Sequence, residues 1–235
     1  MNKFATMIVA AGAAIAFGIG AGATIAAAAG GTITGTVKLD GTAPPPKKVE
    51  ISKDKEVCDL KPHFTEDLIV DPSGGIANAV VEVKGAKGDA KPAEVKFDQK
   101  GCDYIPHVLA FTAGSTVDII NDDGILHNIH TYSTKNPSFN MAQPKFKKVI
   151  QQKVEQPEVI RVTCDAHGWM HGWWVVTDTP YYAVTDDKGN FTIKDVPAGN
   201  YTITVWHEKL GTQDQKVDVK DGASASANFT LKPKS

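Results

Sequence analysis

The stretch from Cys164 to His171 constrains this chain more than any other part of it. It runs Cys-Asp-Ala-His-Gly-Trp-Met-His, so a thiol, an imidazole and a thioether follow one another with Cys-x2-His-x2-Met spacing. Cysteine, histidine and a weak axial methionine are ligands of mononuclear copper electron-transfer centres, in which a second histidine completes the trigonal plane. Beyond the first 29 residues the only methionines are Met141 and Met170, and one of them falls on the motif. The alternative is that these side chains are ordinary core residues, because free cysteine is often buried.

The residues before this motif predict a strand that ends at the cysteine. Ile160, Val162 and Cys164 alternate with Arg161 and Thr163, and side chains on a strand point alternately to its two faces. The thiol is therefore expected to point into the core with the aliphatic side chains. A thiolate that is shielded from water in this way favours metal binding over incidental oxidation.

A second histidine for such a centre comes from the segment 117–130. A β-rich stretch ends at Asn121, an Asp-Asp-Gly turn follows, and His127 and Asn128 stand at its far end. His130 is three residues beyond His127, so on a strand the two side chains face opposite ways. His127 is therefore the predicted partner of the cysteine loop, and His130 is expected to be exposed or to lie behind the ligands.

Together these segments resemble a cupredoxin such as plastocyanin or amicyanin over roughly residues 76–178. The resemblance rests on Ile-Ile-Asn at 119–121, on the His-Asn pair, and on the cysteine loop, whose short spacing is similar to that of amicyanin. It implies one bound type-1 copper, and it implies that Asn128 braces the ligand loop by hydrogen bonding. The four implied copper ligands are His127, Cys164, His167 and Met170.

The sequence departs from the cupredoxin pattern around this loop. Ala166 stands where many members have proline, and Trp169 and His171 flank the methionine. These differences leave the redox potential open, and they leave His171 and Met141 as alternative axial ligands. The resemblance also implies that one ring edge of His167 lies near the surface in an apolar patch, to which Trp169 would contribute.

The other histidines offer weaker metal sites. His107 and His130 could form a second copper site of the type-2 kind. Cys58 and His63, separated by four residues, could hold a further metal. His207 belongs to the last part of the chain and is expected to be structural.

Residues 1–29 predict an export signal. Lys3 gives a positive start, the run 4–25 carries no charge, and the alanines 27–29 offer an Ala-x-Ala cleavage site. We expect cleavage and a periplasmic or extracellular protein. An uncleaved membrane anchor is the alternative, since a span needs about 20 apolar residues. Loss of Lys3 changes the formal charge from −2 to −3, and Arg161 is the only arginine, which argues against nucleic acid as a partner.

The cysteine count predicts a disulfide. Three cysteines in an exported chain leave one unpaired, and if Cys164 binds metal, Cys58 and Cys102 are free to pair in an oxidising compartment. Such a bond would close a loop of about 45 residues and add roughly 4 kcal/mol of stability in the chain-entropy model. This predicted pairing rests only on the odd number of cysteines and on the oxidising compartment to which the protein would be exported.

From residue 180 the pattern changes to short alternating strands separated by turns. Thr-Asp-Asp-x-Gly-x-Phe-x-Ile at 185–193, followed by Asp-Val-Pro-Ala-Gly at 195–199, resembles a carboxypeptidase regulatory-like domain, a small transthyretin-like β-sandwich. That family usually opens with a Gly-x-Ile-x-Gly-x-Val strand, which residues 31–37 match. The resemblance implies an interaction or folding module without chemistry of its own. It also implies that the copper domain is inserted after the first strand of this module.

The predicted fold class is all-β, because helical periodicity is weak after the signal while apolar alternation and turn residues are frequent. The expected architecture is a cupredoxin Greek-key sandwich plus a second, small β-sandwich. The predicted segments are 1–29 for the signal peptide, 30–50 for an N-terminal strand and proline-rich linker that belongs with the C-terminal sandwich, 51–179 for the copper domain, and 180–235 for the carboxypeptidase regulatory-like sandwich.

These features predict an exported type-1 copper protein that transfers single electrons between redox proteins such as cytochromes and is not an enzyme. The first alternative is a periplasmic copper-binding or delivery protein with the same soft ligands and no redox shuttling. An oxidase or a nitrite-reductase-like enzyme would need a second copper centre, whereas the sequence offers one Cys-His-Met loop and scattered histidines. The potential, the partner and the oligomeric state leave no signature in the sequence.

Overall fold

The computed structural model describes residues 30–89 and 91–233, so the predicted signal peptide lies outside the described residues. The described ranges contain no helix long and apolar enough to cross a membrane. Within them the fold is all-β, as predicted, with one short helix. Its elements are β1 (Gly31–Leu39), β2 (Lys48–Val49), α1 (Lys55–Cys58), β3 (His63–Phe64), β4 (Val80–Lys84), β5 (Glu94–Lys100), β6 (Asp103–Ile105), β7 (Val108–Thr112), β8 (Ser115–Asn121), β9 (His127–Tyr132), β10 (Asn140–Gln143), β11 (Val149–Val154), β12 (Glu158–Thr163), β13 (His171–Thr177), β14 (Tyr182–Val184), β15 (Asn190–Val196), β16 (Gly199–His207), β17 (Gly211–Val219), β18 (Ser224–Ser226) and β19 (Phe229–Leu231).

Strands β1, β4 and β14 to β19 form one β-sandwich, which we call the terminal sandwich. In one sheet β1 lies between β15 on one side and β18 and β19 on the other, and the second sheet has the order β14-β4-β16-β17. β1 runs antiparallel to β15, with Ile33 opposite Ile193. The predicted alternation on β1 is present, because Ile33, Val37 and Leu39 face the core. If the central domain is inserted after β1, then β1 must pair with strands beyond residue 180. It does so, with β15, β18 and β19.

The second glycine of the β1 motif has a packing reason. A Cβ atom on Gly35 would lie 1.7 Å from the carbonyl oxygen of Ala227. The backbone N–H of Ala227 also donates to the carbonyl of Thr34 at 2.9 Å, which holds the two segments together. A side chain at position 35 would therefore force β1 away from the segment that leads into β19.

Strands β5 to β13 form a second sandwich, which we call the central sandwich. Its five-stranded sheet has the order β10-β9-β12-β13-β7, and its four-stranded sheet has the order β11-β8-β5-β6. The pairs β13–β7 and β5–β8 are parallel, and the other pairs are antiparallel. The facing side chains form one core around Phe97, Phe111, Ile129 and Trp174. This core lies directly below the predicted copper ligands.

The structure differs from one predicted boundary, because β4 lies within residues 51–179 but belongs to the terminal sandwich. It pairs with β14 and β16, and Val81 and Val83 are fully buried in the terminal core. Val80, on its other face, packs against apolar residues of the central sandwich. The alternation of Val81 and Val83 with Glu82 and Lys84 indicates a strand with one apolar face, but it does not show which sheet this strand joins.

Two regions contain more strand than the sequence predicts. The segment 131–157 carries Pro137, Pro144 and Pro157, which indicate an irregular segment, yet it includes β10 and β11, each at the edge of its sheet. Edge strands leave one side unpaired and tolerate polar side chains, which explains the missed pattern. β5 likewise has a weak sequence pattern, because Phe97 and Gln99 are its only fully buried residues in the described structure.

Residues 48–64, which we call the cap, fold onto the central sandwich. The cap consists of the β2–β3 hairpin and α1. Cys58, at the end of α1, forms a disulfide with Cys102, as the cysteine count predicted. The alternative metal site of Cys58 and His63 is wrong, because the thiol is consumed and the ring of His63 bonds Asp103 at 3.0 Å and the carbonyl of Cys58 at 2.7 Å.

The two sandwiches meet through an apolar contact. Val80 of the terminal sandwich packs with Val108 and Val175 of the central sandwich. Trp173 contacts Trp206 across this junction, with ring centroids 5.4 Å apart. The neighbouring Trp174 points the opposite way into the central core, as strand alternation predicts.

Candidate metal centre

Strand pairing brings the predicted ligands together at one end of the central sandwich. β9 begins at His127 and pairs antiparallel with β12, which ends one residue before Cys164. The cysteine therefore lies beside the histidine. The loop between β12 and β13 then turns back and carries His167 and Met170 to the same place. All four side chains belong to buried residues that are at most 2% exposed.

Three donor atoms converge at this site. The sulfur of Cys164 lies 3.8 Å from Nδ1 of His127 and 3.7 Å from Nδ1 of His167. The two Nδ1 atoms are 3.0 Å apart. The three side chains thus place two imidazole nitrogens and one sulfur around a common point.

The dimensions of this triangle fit a transition metal. A triangle with these three sides has a circumscribed radius of about 2 Å, and imidazole nitrogen and thiolate sulfur bind a metal such as zinc at about 2.0–2.3 Å. One thiolate and two imidazoles in a plane are the donors that type-1 copper uses. The residues present therefore fit the metal that the sequence motif implies.

Carboxylates hold both imidazole rings from behind. Nε2 of His127 lies 2.9 Å from Asp123, and Nε2 of His167 lies 2.9 Å from Asp54. In the metal-bound protein a proton on each Nε2 would satisfy the carboxylates and leave each Nδ1 with a lone pair directed at the centre. Asp123 also accepts the backbone N–H of Cys102 at 2.8 Å. Both rings are thereby oriented to bind metal through Nδ1.

The outer edge of His167 does not lie at the surface. The residue is fully buried, and Asp54 in the cap covers its Nε2. The expectation of an exposed ring edge in an apolar patch is therefore wrong, because the disulfide at Cys58 ties the cap down over the ligand loop. Trp169 does lie beside the ligand, with ring centroids 5.1 Å apart, and its indole N–H donates to the carbonyl of Cys102 at 3.2 Å.

Asn128 braces the ligand loop, as the cupredoxin resemblance implies. Its Oδ1 accepts the backbone N–H of Ala166 at 3.0 Å, and its own backbone N–H points at the sulfur of Cys164 at 3.5 Å. Its Nδ2 donates to Asn140 at 2.7 Å, and Asn140 donates to Asp165 at 2.6 Å. Amide side chains of β9 and β10 therefore anchor the loop.

The surroundings favour the thiolate form of the cysteine. Burial alone would raise the pKa of Cys164, but hydrogen bonds from His127 and His167 lower this pKa to about 6. Burial alone would lower the pKa of His127, but Asp123 and the sulfur raise that pKa to about 9. In the metal-free protein at neutral pH the cysteine is therefore ionised, which is the form that binds metal.

Met170 closes the ligand loop and stays the predicted axial ligand. Its backbone N–H donates to the carbonyl of His167 at 2.9 Å, and its carbonyl accepts the N–H of Cys164 at 3.1 Å. Of the two alternatives, His171 turns away, since its Nε2 lies 3.9 Å from a carboxylate oxygen of Glu208. Met141 is partly buried in the same core.

The alternative second copper site of His107 and His130 is not formed. Nδ1 of His130 lies 3.1 Å from Asp165, beside the first centre. His107 instead lies at the junction of the sandwiches, with its ring 5.2 Å from that of His171. His130 therefore lies behind the ligands, as expected from its spacing to His127, and only the alternative grouping with His107 is wrong.

Sequence reasoning also missed the two carboxylates behind the ligands. Asp123 had a detectable signature, because it lies in the Asp-Asp-Gly turn before His127 and ligating histidines commonly donate to a carboxylate. Asp54 had none. It is 113 residues away from His167 in the chain, and only the fold of the cap brings the two together.

The fold and the site define an all-β protein of two sandwiches, one of which encloses a cysteine–histidine–histidine centre. Residues 174–232 match the family model of the carboxypeptidase regulatory-like domain, which confirms the resemblance of the last strands. The match starts within β13 and spans β14 to β19. No curated protein matches the chain.

The similar solved structures include cupredoxins. A purple cupredoxin from Nitrosopumilus maritimus is 22% identical over 35% of this chain and 99% of its own, with a TM-score of 0.31. Amicyanin from Paracoccus versutus is 18% identical over 41% of this chain and 97% of its own, with a TM-score of 0.32. A copper-containing nitrite reductase from Thermus scotoductus is 20% identical over 42% of this chain but only 25% of its own, with a TM-score of 0.32. At such identities and TM-scores these likenesses say nothing about the activity of this chain.

Proposed function

We propose that this protein is an exported copper protein that passes single electrons between redox proteins and breaks no substrate bond. His127, Cys164 and His167 would hold the copper, with Met170 as the axial ligand. Bound copper would supply the Cu(I)/Cu(II) couple. The observation that carries the proposal is the buried triangle of two Nδ1 atoms and one thiolate, whose sides fit a trigonal metal site.

The closure of the site favours electron transfer over copper delivery. The three ligands of the triangle are each at most 1% exposed, and carboxylates fix both rings. Ligands held rigidly rearrange little when the metal changes its charge. Delivery to another protein would instead need a ligand that the recipient can reach, and none of these three is exposed.

The cap offers a route for electrons. The side chain of Asp54 is 30% exposed and is hydrogen-bonded to the otherwise buried ring of His167. One side chain thus separates the ligand from solvent, and redox proteins such as cytochromes would dock on the cap. The proposed periplasmic or extracellular location rests on the signal predicted at residues 1–29.

The visible absorption and EPR spectra of the mature protein with one equivalent of Cu(II) test this proposal. We expect an intense thiolate-to-copper band and a narrow copper hyperfine splitting. Cys164→Ser should abolish both. Met170→Leu should shift the band and the reduction potential, whereas its matched control Met141→Leu should leave both unchanged.

Two further outcomes separate the competing functions. The reduced copper protein should reduce an added cytochrome faster than it loses Cu(I) to a soluble chelator. A pale spectrum with wide hyperfine splitting would contradict the type-1 centre. An intense band combined with rapid loss of copper to the chelator would instead support delivery.

A further inference from the structure

We propose that His107, His171 and Glu208 form a second metal site, for a divalent transition-metal ion, at the junction of the two sandwiches. His107 lies just before β7 and His171 opens β13, both in the central sandwich. Glu208 follows β16 in the terminal sandwich. The site therefore exists only when the two sandwiches are docked. The proposal does not depend on the function proposed for the first centre.

The ligand atoms of this cluster converge on one carboxylate. Nε2 of His107 contacts Oε1 of Glu208, and Nε2 of His171 lies 3.9 Å from Oε2 of the same side chain. A ligand atom of each residue lies within 4.8 Å of the others. The side chains of His107 and Glu208 are only 4% and 6% exposed, whereas that of His171 is 27% exposed. An ion could thus bind in a nearly dry site that retains one open side.

The tautomer of His171 suits metal binding. Its Nδ1 lies 3.2 Å from the carbonyl oxygen of Trp169 and can only donate to that acceptor. The proton on Nδ1 leaves Nε2 with a lone pair on the side of Glu208. A backbone carbonyl that fixes a ligating ring in this way is a usual feature of metal sites.

His107 has a buried nitrogen without a hydrogen-bond partner in the described structure, namely Nδ1. A carboxylate oxygen of Glu66 lies 3.6 Å from it, slightly beyond hydrogen-bond distance. When Nε2 binds an ion, the proton of the ring resides on Nδ1 and faces this carboxylate. Glu66 would then orient His107 as Asp123 orients His127 in the first centre.

The charges around the cluster favour a cation. Burial would lower the pKa of His107, but the carboxylates of Glu208 and Glu66 raise it above its ordinary value. The field that holds a proton on this ring would also attract a metal ion. Lys209 does not neutralise the cluster, because it pairs with Asp67 at 2.6 Å.

The donor set indicates the class of metal. Two imidazoles with a carboxylate suit borderline ions such as Zn²⁺ or Cu²⁺, whereas soft Cu(I) prefers sulfur. The cleft beside the cluster, of about 240 Å³, is lined by Glu66, His107 and His171 and gives an entry path. The two centres are therefore expected to differ in metal preference, although His171 directly follows Met170.

Calorimetric titration of the full mature protein with Zn²⁺, after its first centre has been filled with one equivalent of copper, tests the site. We expect one further equivalent to bind. His171→Ala and Glu208→Gln should each abolish that equivalent, and Glu66→Gln should weaken it about tenfold. His130→Ala is the matched control, because His130 is also partly exposed and paired with a carboxylate, and it should keep the second equivalent.

Several results would overturn the proposal. Wild-type protein that takes up no second equivalent would show that His107 and Glu208 form only an ion pair. Equal loss of Zn²⁺ in His130→Ala and His171→Ala would show unspecific binding. The thiolate-to-copper band should persist in Glu208→Gln, so its absence from all variants would count against the first centre and not against this one. A circular dichroism spectrum of each variant verifies that it is folded.

Discussion

The terminal and central sandwiches are built alike from two facing sheets, yet their interiors differ. The hydrophobic core of the terminal sandwich is aliphatic and aromatic, and the described residues of this sandwich bury no side-chain amide. The central sandwich encloses two histidine ligands and also buried amides, since Gln99 donates to Gln143 at 2.7 Å and Asn121 donates to the carbonyl of Ile125 at 2.8 Å. Asn121 ends β8, where the turn towards His127 begins, while Gln99 lies near the end of β5 and Gln143 ends β10.

This difference shows where the central sandwich places its polar groups. A buried amide costs free energy unless it is hydrogen-bonded, so each of these bonds fixes the backbone near it. Asn121 also donates to the carbonyl of Gln143 in β10, which ties the turn to the five-stranded sheet. The terminal sandwich, which positions no ligand of the first centre, buries a hydroxyl instead of an amide: Thr185 accepts the N–H of Ala79 at 2.9 Å and donates to the carbonyl of Ile76 at 2.7 Å. In the central sandwich the amide hydrogen bonds fix the turn that leads to His127. The disulfide between Cys58 and Cys102 holds the cap over the same site.

The largest expected effect on stability concerns the disulfide between Cys58 and Cys102. Replacing both cysteines, Cys58→Ala with Cys102→Ala, should lower the free energy of unfolding by about 4 kcal/mol, because the bond closes a loop with a sequence separation of 44. Denaturant unfolding of the copper-free protein measures this loss. Reduced wild-type protein serves as the control and should show the same loss. An unchanged unfolding midpoint would mean that the cap is held by packing alone.

Truncating one buried isoleucine in each core should show which of the two cores supports the copper site. Ile203 and Ile119 are both fully buried, in the terminal and the central core respectively. Each change to alanine should cost about 3 kcal/mol, within the usual range for such cavities. Only Ile119→Ala should also alter the copper spectrum, because β8 leads to the turn before His127. Equal spectral changes in both variants would show that the sandwiches are coupled more tightly than their separate cores indicate.

The carboxylate in the cap should tune the first centre. Asp54→Asn removes a negative charge that favours the more positive metal, so the reduction potential should rise by on the order of 60 mV, equivalent to about 1.4 kcal/mol for one electron. A redox titration followed by the thiolate band measures the change. Asp165→Asn, which alters a carboxylate bonded to His130 instead of a ligand ring, is the control and should have a smaller effect. A fall in potential would contradict this role of Asp54.

The smallest expected effect on stability concerns one hydrogen-bonded carboxylate in a turn of each sandwich. Burial would raise the pKa of Glu158, but hydrogen bonds from Ser133, Thr134 and Lys135 lower it to about 2. The stability that this carboxylate contributes is therefore present above its ordinary pKa of 4.5 and is lost as the pH falls through about 2. After screening by solvent, Glu158→Gln should cost about 1 kcal/mol at pH 7.

The two turns differ in how strongly they hold their carboxylates. The cost of Glu158→Gln should vanish at pH 2, which urea unfolding at both pH values measures. The fully exposed carboxylate of Asp186 accepts hydrogen bonds from Lys188 and Asn190 in a turn of the terminal sandwich, so Asp186→Asn should have a weaker effect. A larger effect of Asp186→Asn would reverse this ranking of the two turns.

Local pattern predicted much of this protein. Strand alternation placed Cys164 in the core next to Ile160 and Val162, and parity paired Cys58 with Cys102. These predictions succeed because they depend on neighbours in sequence or on a simple count. The assignment of β4 failed because alternation identifies a strand but not its partners, and β4 pairs with β14 and β16 far along the chain.

The sequence by itself determined the all-β class, the donor types of the first centre and the resemblance of the last strands to a carboxypeptidase regulatory-like domain. Only the tertiary structure decided that the cap covers His167, and that His107 meets Glu208 and not His130. The physical reason is that ligand spacing is a local property of one loop. The groups behind the ligands, and those at the junction of the sandwiches, come from segments that only long-range packing brings together.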